Sequence, residues 1–355
     1  MCQAQLAKYR IGRGNGAEPV LTSRLKTAAN ITGPENQMAD KKRRLGIVMD
    51  PIESITPKKD SSLAMLLEAE RRGFEIRYFQ QHDLRLLRGE ALGRGRGLHV
   101  QDDNDDWFEL GEVSEEPLGD LDVILMRKDP PFDMEYIYTT YILERAELAG
   151  ALIVNKPQAL RDMNEKVYTA WFPDCSPETM VTRSMDDMRS FVAEHGNAVI
   201  KPLDGMGGKS IFVVRQGDNN ANVIFETLTD YGRRFAMAQV FIPEISAGDK
   251  RILLIDGEPI PGALARIPSA DDNRGNLVMG AVGEGRELSA RDLEICERVG
   301  PVLKENGVVF CGIDVIGDYL TEINSTSPTG IREIDRIFGV NVAARLFDAI
   351  EARLG

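Results

Sequence analysis

Two stretches of this 355-residue chain combine residue types that can act on a phosphate. One is Lys201-Pro-Leu-Asp-Gly-Met-Gly-Gly-Lys-Ser210, flanked by the apolar runs Ala198-Val-Ile200 and Ile211-Phe-Val-Val214. The pattern is strand, glycine-rich loop, strand. Gly205, Gly207 and Gly208 carry no Cβ, so backbone N–H groups can come close to an anion. Lys201 ends the first strand, where its ammonium could reach the same anion. An unliganded hairpin tip would show the same glycines, so the loop alone does not decide. Two phosphate motifs are excluded. A Walker A loop needs glycine at position 203, which is Leu203, and the dinucleotide fingerprint needs one at position 210, which is Ser210. Phosphate would sit under a β-hairpin flap rather than at a helix N-terminus.

The other stretch is Cys311-Gly-Ile-Asp-Val-Ile-Gly-Asp-Tyr-Leu-Thr-Glu-Ile-Asn324. Glu322 and Asn324 are two apart and share a face of a strand. Asp314 lies on the strand before. A two-residue turn at Gly317-Asp318 would set Asp314 opposite Thr321 and turn Glu322 away. A three-residue turn sets Asp314 opposite Glu322, with all three oxygen ligands on one face, and is the expected arrangement. Such hard oxygen donors suit Mg²⁺, with Mn²⁺ as the alternative, held by few carboxylates plus nucleotide phosphates. The competing reading is a hairpin with surface carboxylates. Ile313, Val315 and Ile323, of opposite parity, support burial of one face only. The acidic run Asp102-Asp-Asn-Asp-Asp106 lacks the glycine and the closing glutamate of a calcium loop and reads as a solvated loop.

The elements that must position these groups alternate in type. Residues 45–50 read as a buried strand, and Asp60 caps a helix over about 63–72, which Gly73 ends. Residues 74–79, 121–126 and 151–154 read as further strands, and Asp133 caps a helix to about 149. Residues 89–106, rich in glycine, arginine and aspartate, read as a hairpin or mobile loop. The β-α-β alternation predicts a small open parallel sheet covered by helices. A second unit starts near residue 164 with a short helix over 164–172. Strands at 180–182 and 235–240 and helices at 185–194 and 222–229 surround the glycine loop. A third holds strands at 249–255 and 259–267, a helix opened by Ser289, the strand pair within 308–324 and two closing helices. The polar stretch 269–285 between them, with Gly280, Gly283 and Gly285, reads as a lid that would keep water from a reactive acyl phosphate.

Composition narrows the classes. The chain is 43% hydrophobic and 28% charged with net charge −13, which suits two or three globular domains. Lys and Arg number 43 against 56 acids, so nucleic acid is an unexpected partner. No apolar run reaches the length of a membrane span. Cys2, Cys175, Cys296 and Cys311 show no metal spacing and read as free thiols in a reducing compartment. His82, His99 and His195 are isolated, which argues against a Ser-His-Asp hydrolase. Residues 1–44 hold nine Lys or Arg against three acids and no clear period. They are expected to be a disordered or extraneous extension, with Met38 a candidate start. A targeting peptide is the alternative, opposed by Glu18, Glu35 and few serines.

With the glycine loop and the Asp314, Glu322, Asn324 set in hand, the chain resembles ATP-grasp enzymes. The longer motifs are Gly46-Ile-Val-Met-Asp-Pro-Ile52, Ile124-Leu-Met-Arg-Lys-Asp-Pro-Pro-Phe-Asp133, Ile153-Val-Asn-Lys-Pro-Gln158, Leu203-Asp-Gly-Met-Gly-Gly208 and Leu320-Thr-Glu-Ile-Asn324. They resemble the bacterial glutathione synthetase family from about Leu45 to the C-terminus. The resemblance implies an α/β chain, an ATP-grasp fold preceded by a small open parallel-sheet domain. It implies an N-terminal substrate domain over 45–163, a central lid domain over 164–240 and a C-terminal metal-binding domain over 241–355. It implies a cytoplasmic, homotetrameric ligase that joins γ-glutamylcysteine to glycine with ATP, through an acyl phosphate. By position, Lys166 and Lys201 match two nucleotide lysines, and Gly205, Met206, Gly207 and Gly208 match the phosphate flap. Gln239, Val240, Phe241 and Ile242 match the adenine hinge, with Asp249 beside the nucleotide. Arg251, Arg266 and Arg274 match catalytic arginines, and Arg127, Ser327, Thr329 and Glu333 match the dipeptide pocket. Lys209 and Gly330 depart from the family pattern. Other ATP-grasp ligases, adding glutamate or D-alanine, are the nearest rivals. A nucleotide-binding module without turnover is a rival of another class.

Overall fold

The computed structural model describes residues 42–268 and 282–355. The chain enters through β1 (Arg44–Val48), α1 (Ser61–Arg71), β2 (Glu75–Phe79), β3 (Leu84–Leu87), β4 (Glu90–Val100) and β5 (Phe108–Pro117). It continues through β6 (Val123–Met126), α2 (Met134–Ala149), β7 (Leu152–Val154) and α3 (Pro157–Asp162). The strands form one sheet ordered β3-β4-β2-β1-β6-β7, with β5 on β4. Strands β2, β1, β6 and β7 are parallel, as expected of the βα alternation. Leu45, Ile47, Val123 and Leu125 belong to one core and Val48, Ile124, Met126 and Ile153 to another, so both faces are covered. The helices start where capping chemistry places them: Asp60 accepts from Leu63 N at 2.6 Å and Asp133 from Tyr136 N at 3.0 Å.

The sheet is larger and more mixed than expected, because β3, β4 and β5 add an antiparallel arm. Residues 90–100, expected to lie in a hairpin or mobile loop, form an 11-residue strand. Their glycines serve packing. A Cβ at Gly93 or Gly95 would come within 2.5 or 2.3 Å of the Phe79 ring.

A four-stranded antiparallel sheet follows, with β8 (Thr179–Thr182), α4 (Met185–His195), β9 (Asn197–Pro202), β10 (Phe212–Arg215), α5 (Ala221–Thr229) and β11 (Ala236–Val240). Its order is β10-β9-β11-β8, and both helices share one core with it through Met188, Phe191, Ile200, Val214 and Phe225. The helix expected over 164–172 is a 3-10 turn at Val167–Trp171.

The third sheet holds β12 (Asp249–Ile255), β13 (Glu258–Pro259), β14 (Ala263–Ile267) and β15 (Val282–Arg286), then α6 (Ala290–Glu305), β16 (Phe310–Ile316) and β17 (Tyr319–Asn324). Its order is β15-β14-β12-β16-β17, with β13 on β12. Of the stretch expected as a lid, residues 269–281 lie outside the described residues, while 282–285 pair with β14 as ladder. One face of this sheet, with Ile252, Leu254, Ile313, Val315, Leu320 and Ile323, packs on Ile295, Val299 and Leu303 of α6. The closing helices α7 (Ile331–Phe338) and α8 (Val342–Leu354) return to the first sheet. Ile334, Leu346 and Phe347 share a core with Leu63, Leu66 and Phe74. The first and third sheets are thereby joined through one interior, and the polar face of the third is left for chemistry. Cys175, Cys296 and Cys311 are buried free thiols.

Candidate active site

The polar face is set by strand parity. Asp249 and Arg251 are two apart on β12, Arg266 of β14 pairs with Asp249, and Asp314 of β16 pairs with Arg251. Glu322 of β17 lies opposite Asp314, and Asn324 opposite Gly312. The expected facing of Asp314 and Glu322 is present, but it arises differently. The turn has two residues, with Ile316 opposite Tyr319, and the register shifts between Asp314 and Val315. Thr321 is the extra residue of this β-bulge, and its hydroxyl donates to Asp314 O at 3.1 Å. Turn length alone therefore predicted the wrong loop for the right pairing.

The charges on this face hold one another. Arg251 donates to both oxygens of Asp314, Nε at 2.5 Å and Nη2 at 2.9 Å. Arg266 bridges Asp314, at 3.0 Å, to Asp249. Asn324 Nδ2 donates to Asp314 Oδ2 at 3.0 Å. Gly312 makes room for this: a Cβ there would lie 2.7 Å from Arg251 Cδ. Burial would raise the Asp314 carboxyl, but Arg251 and Arg266 override it and hold it below the usual carboxylate range. Asp249 is pushed up to about 7, because burial, with the Asp314 charge adding to it, outweighs Arg266 and Arg251. Burial lowers Arg266, and Asp249 and Asp314 more than restore it, so its guanidinium stays charged.

The four-stranded sheet lies over this face with the glycine loop. Lys201 Nζ reaches down to 3.7 Å from Glu322 Oε1 and Lys166 Nζ to 3.9 Å. Lys166 also donates to Gly205 O at 2.7 Å, which ties the loop to the 3-10 turn. Burial pulls the Lys201 ammonium below its ordinary value, with Glu322 opposing. Between the sheets lies a cleft of about 580 Å³. Among its walls are Lys166, Lys201, Gly205 to Gly208, Gln239 to Ile242, Asp249, Arg251, Arg266, Asp314, Glu322, Asn324, Ser327 and Thr329. Val199, Val213, Val240 and Ile316 add apolar lining to it.

Some expected residues lie elsewhere. Arg127 is buried and does not line the cleft, donating to Ser62 Oγ and Pro328 O, both at 3.0 Å, while its Nη1 has no partner. Glu333 sits in the first turn of α7 and does not line the cleft. Arg274 lies outside the described residues. Lys209 lines the cleft mouth and is exposed. Gly330 adopts φ +115°, and its N–H donates to Ser61 Oγ at 3.2 Å, so its departure from the family pattern meets a backbone need. Glu165, Asp129 and Thr326 were missed and line the cleft. Glu165 accepts from Thr326 Oγ1 at 2.7 Å, and burial raises its carboxyl. Its place beside Lys166 was the one available signal.

Among the described residues no cluster of three or more His, Cys, Asp or Glu side chains is arranged to hold a metal ion. The donor set here is two carboxylates and an amide. It suits a hard divalent cation: Asn324 turns its nitrogen to Asp314, which leaves its oxygen for a ligand bond, while the Asp314 oxygens carry bonds from Arg251, Arg266 and Asn324 that a bound cation would share or displace. In the same network the buried Asp249 Oδ1 has no hydrogen-bond partner, so one acceptor position remains open.

Fold and site together define an ATP-grasp ligase. Comparison with known proteins narrows the class. The prokaryotic glutathione synthetase N-terminal domain matches residues 44–161, and the ATP-grasp domain of the same family matches residues 165–339. The chain is 59% identical over 311 residues to glutathione synthetase of Salmonella typhimurium, covering 88% of this chain and 99% of that protein. It is 58% identical over 312 residues to that of Shewanella oneidensis, with the same coverage. Among solved structures, D-cycloserine synthetase DcsG superposes with TM-score 0.63 at 16% identity, covering 88% of this chain and 100% of that one. D-alanyl-alanine synthetase A of Vibrio cholerae superposes with TM-score 0.56 at 11% identity, covering 88% and 98%. These two share the fold. The chain belongs to the prokaryotic glutathione synthetase family, and it is an ATP-dependent carboxylate–amine ligase.

Proposed function

We propose that this cleft makes glutathione from γ-glutamylcysteine and glycine by way of an acyl phosphate. The cysteinyl carboxylate attacks the γ-phosphorus of ATP, the bond to the bridging oxygen breaks, and ADP leaves. The glycine amine then attacks the acyl carbon, phosphate leaves, and the amine proton passes to solvent. Two anions must meet in the first step, so screening their repulsion is the main task. The observation that carries this reading is one face presenting Asp314, Glu322 and Asn324 beneath a glycine flap and two lysines.

Lys166 and Lys201 hold the phosphates from the flap side, and the N–H groups of 205–208 close over them. Gln239, Val240, Phe241 and Ile242 receive the adenine, mainly through backbone groups. Arg251 and Arg266 stabilise charge on the transferring phosphoryl group, Arg274 is assigned the same role by family resemblance, and Asp249 orients Arg266. Ser327 and Thr329 line the dipeptide pocket. Arg127 acts one layer back, by fixing the Pro328 carbonyl, and Glu333 supports the same wall. Asp314, Glu322 and Asn324 would hold Mg²⁺, in preference to Mn²⁺, which supplies charge neutralisation at the phosphate oxygens.

We place domain limits at 45–163, 164–240 and 241–355, a division supported by the three separate sheets. A homotetramer rests on family resemblance and is checked by light scattering. Buried free thiols support a reducing, cytoplasmic setting, and among the described residues no helix is long and apolar enough to cross a membrane. The test is ADP release with γ-glutamylcysteine plus glycine against D-alanine or glutamate donors. Release with the first pair alone is expected, and none with that pair overturns the reading.

A further inference from the structure

We infer that Asn155 is a positioning residue that sets the metal hairpin from outside it. Asn155 follows β7 in the stretch 153–158, to which no role has yet been given. Its side chain is 4% exposed. Oδ1 accepts from Val309 N at 2.8 Å and Phe310 N at 3.0 Å. Nδ2 donates to Phe310 O and to Ser325 O, both at 2.7 Å. A carboxamide offers two donors and two acceptor sites, and backbone groups take all four here.

The location gives these bonds their meaning. The paired register of β16 and β17 ends at Gly312 and Asn324. Asn155 bridges Phe310 and Ser325 just beyond that point, where a side chain replaces the missing rung. Ser325 directly follows the ligand Asn324. On the other edge of β17, Glu165 O accepts from Ile323 N at 2.8 Å and its carboxylate accepts from Thr326 N at 3.1 Å. Residues 323–326 are thus gripped from both edges by groups outside the hairpin.

The grip matters because of the bulge at Thr321. A slip of one residue turns every side chain of a strand to the other face. With the far end pinned by Asn155, the extra residue stays at Thr321, and Glu322 and Asn324 stay on the cleft face. Only a carboxamide meets this pattern of two N–H and two C=O groups. An aspartate would set an oxygen against the Phe310 and Ser325 carbonyls. The first sheet, whose strands do not line the cleft, would in this way govern the metal site.

This inference rests on the metal assignment proposed above, and the test separates the two. Mn²⁺ binding in the presence of ADP is measured by electron paramagnetic resonance, beside kcat and the KM for γ-glutamylcysteine. Asn155→Asp should weaken Mn²⁺ binding and lower kcat by about tenfold to a hundredfold, the range seen when support behind a metal ligand is removed. The dipeptide KM should stay within about twofold, as expected when substrate binding is untouched. Glu322→Gln should abolish Mn²⁺ binding; if it does not, the metal assignment fails whatever Asn155 does. If Glu322→Gln abolishes binding and Asn155→Asp leaves it intact, or weakens metal and dipeptide alike, the role of Asn155 alone is refuted. Asn155→Ala carries the same comparison should the aspartate variant not fold. In the parent enzyme the Val309 and Phe310 amides should exchange as slowly as the central amides of β16, and fast exchange there also refutes the inference.

Discussion

On the floor of the cleft, Arg251, Arg266, Asp249, Asp314 and Asn324 are locked to each other by charged hydrogen bonds on a buried sheet face. On the roof, the glycine loop contributes mainly backbone. Gly205 O is held by Lys166 Nζ at 2.7 Å, Leu203 O by Asn164 Nδ2 at 3.1 Å, and Gly207 and Ser210 adopt φ of +70° and +58°. The floor is built before substrate arrives, and the roof can adapt to it. An arrangement of this kind places rigid charge where a phosphoryl group must be stabilised and leaves adjustable N–H donors where a nucleotide must enter and leave.

The sharpest way to break this contrast is on the floor. Glu322→Gln keeps shape but removes a negative charge, and kcat should fall by roughly a hundredfold or more. Rapid-quench turnover would measure it, and parent-like product formation would contradict a preorganised floor. Next comes Gly312→Ala, whose new methyl would displace Arg251 from Asp314. Turnover should drop by on the order of tenfold to a hundredfold, with overpacking costing about 1–3 kcal/mol in a urea melt. A variant as active and stable as the parent would show that Arg251 need not cross Gly312.

The roof should answer differently. Gly207 has open space around an added Cβ but sits at φ +70°. Gly207→Ala should cost about 1 kcal/mol of backbone strain, read as a rise of roughly fivefold in the KM for ATP with kcat little changed. A large loss of kcat instead would make the roof as exacting as the floor.

Smallest is an effect behind the substrate wall. Asp60 caps α1, whose Ser61 and Ser62 hold Gly330 and Arg127. Burial is the main influence and raises its carboxyl above 3.8, with the Leu63 N–H and Arg127 opposing. A raised folded value gives stability that is complete below 3.8 and lost as pH rises through the folded value. Asp60→Asn, uncharged at every pH and still a good cap, should gain on the parent as pH rises. Melting curves at about pH 3 and about pH 7 compare them, and a difference that does not grow with pH would count against burial as the cause.

Part of the floor was legible in the sequence because parity within a strand does not depend on detail. Glu322 and Asn324 share a face once their strand is recognised, whereas the facing of Asp314 depends on how the turn and the bulge set the register. The bulge was not legible, because an extra residue leaves no mark in a run as β-prone as 319–324. The antiparallel arm was misread because glycine usually signals flexibility, whereas Gly93 and Gly95 yield space to Phe79. Arg127 was found, but its bonds were not: a lone arginine does not announce that it will donate to Ser62 Oγ and Pro328 O. The bonds of Asn155 join residues more than 150 positions apart, and no local pattern announces them.

The bulge at Thr321 has an evolutionary corollary. An odd number of residues separates Asp314 from Glu322, and a ladder with an even turn must lodge the odd one somewhere along its length. Here it is lodged at Thr321, which lets Leu320 point into the core while Glu322, two positions on, points into the cleft. A relative could lodge it in a three-residue tip instead and present the same two carboxylates. What selection must keep is therefore the match between that count and the turn and bulge that absorb it, and not the form of either one alone.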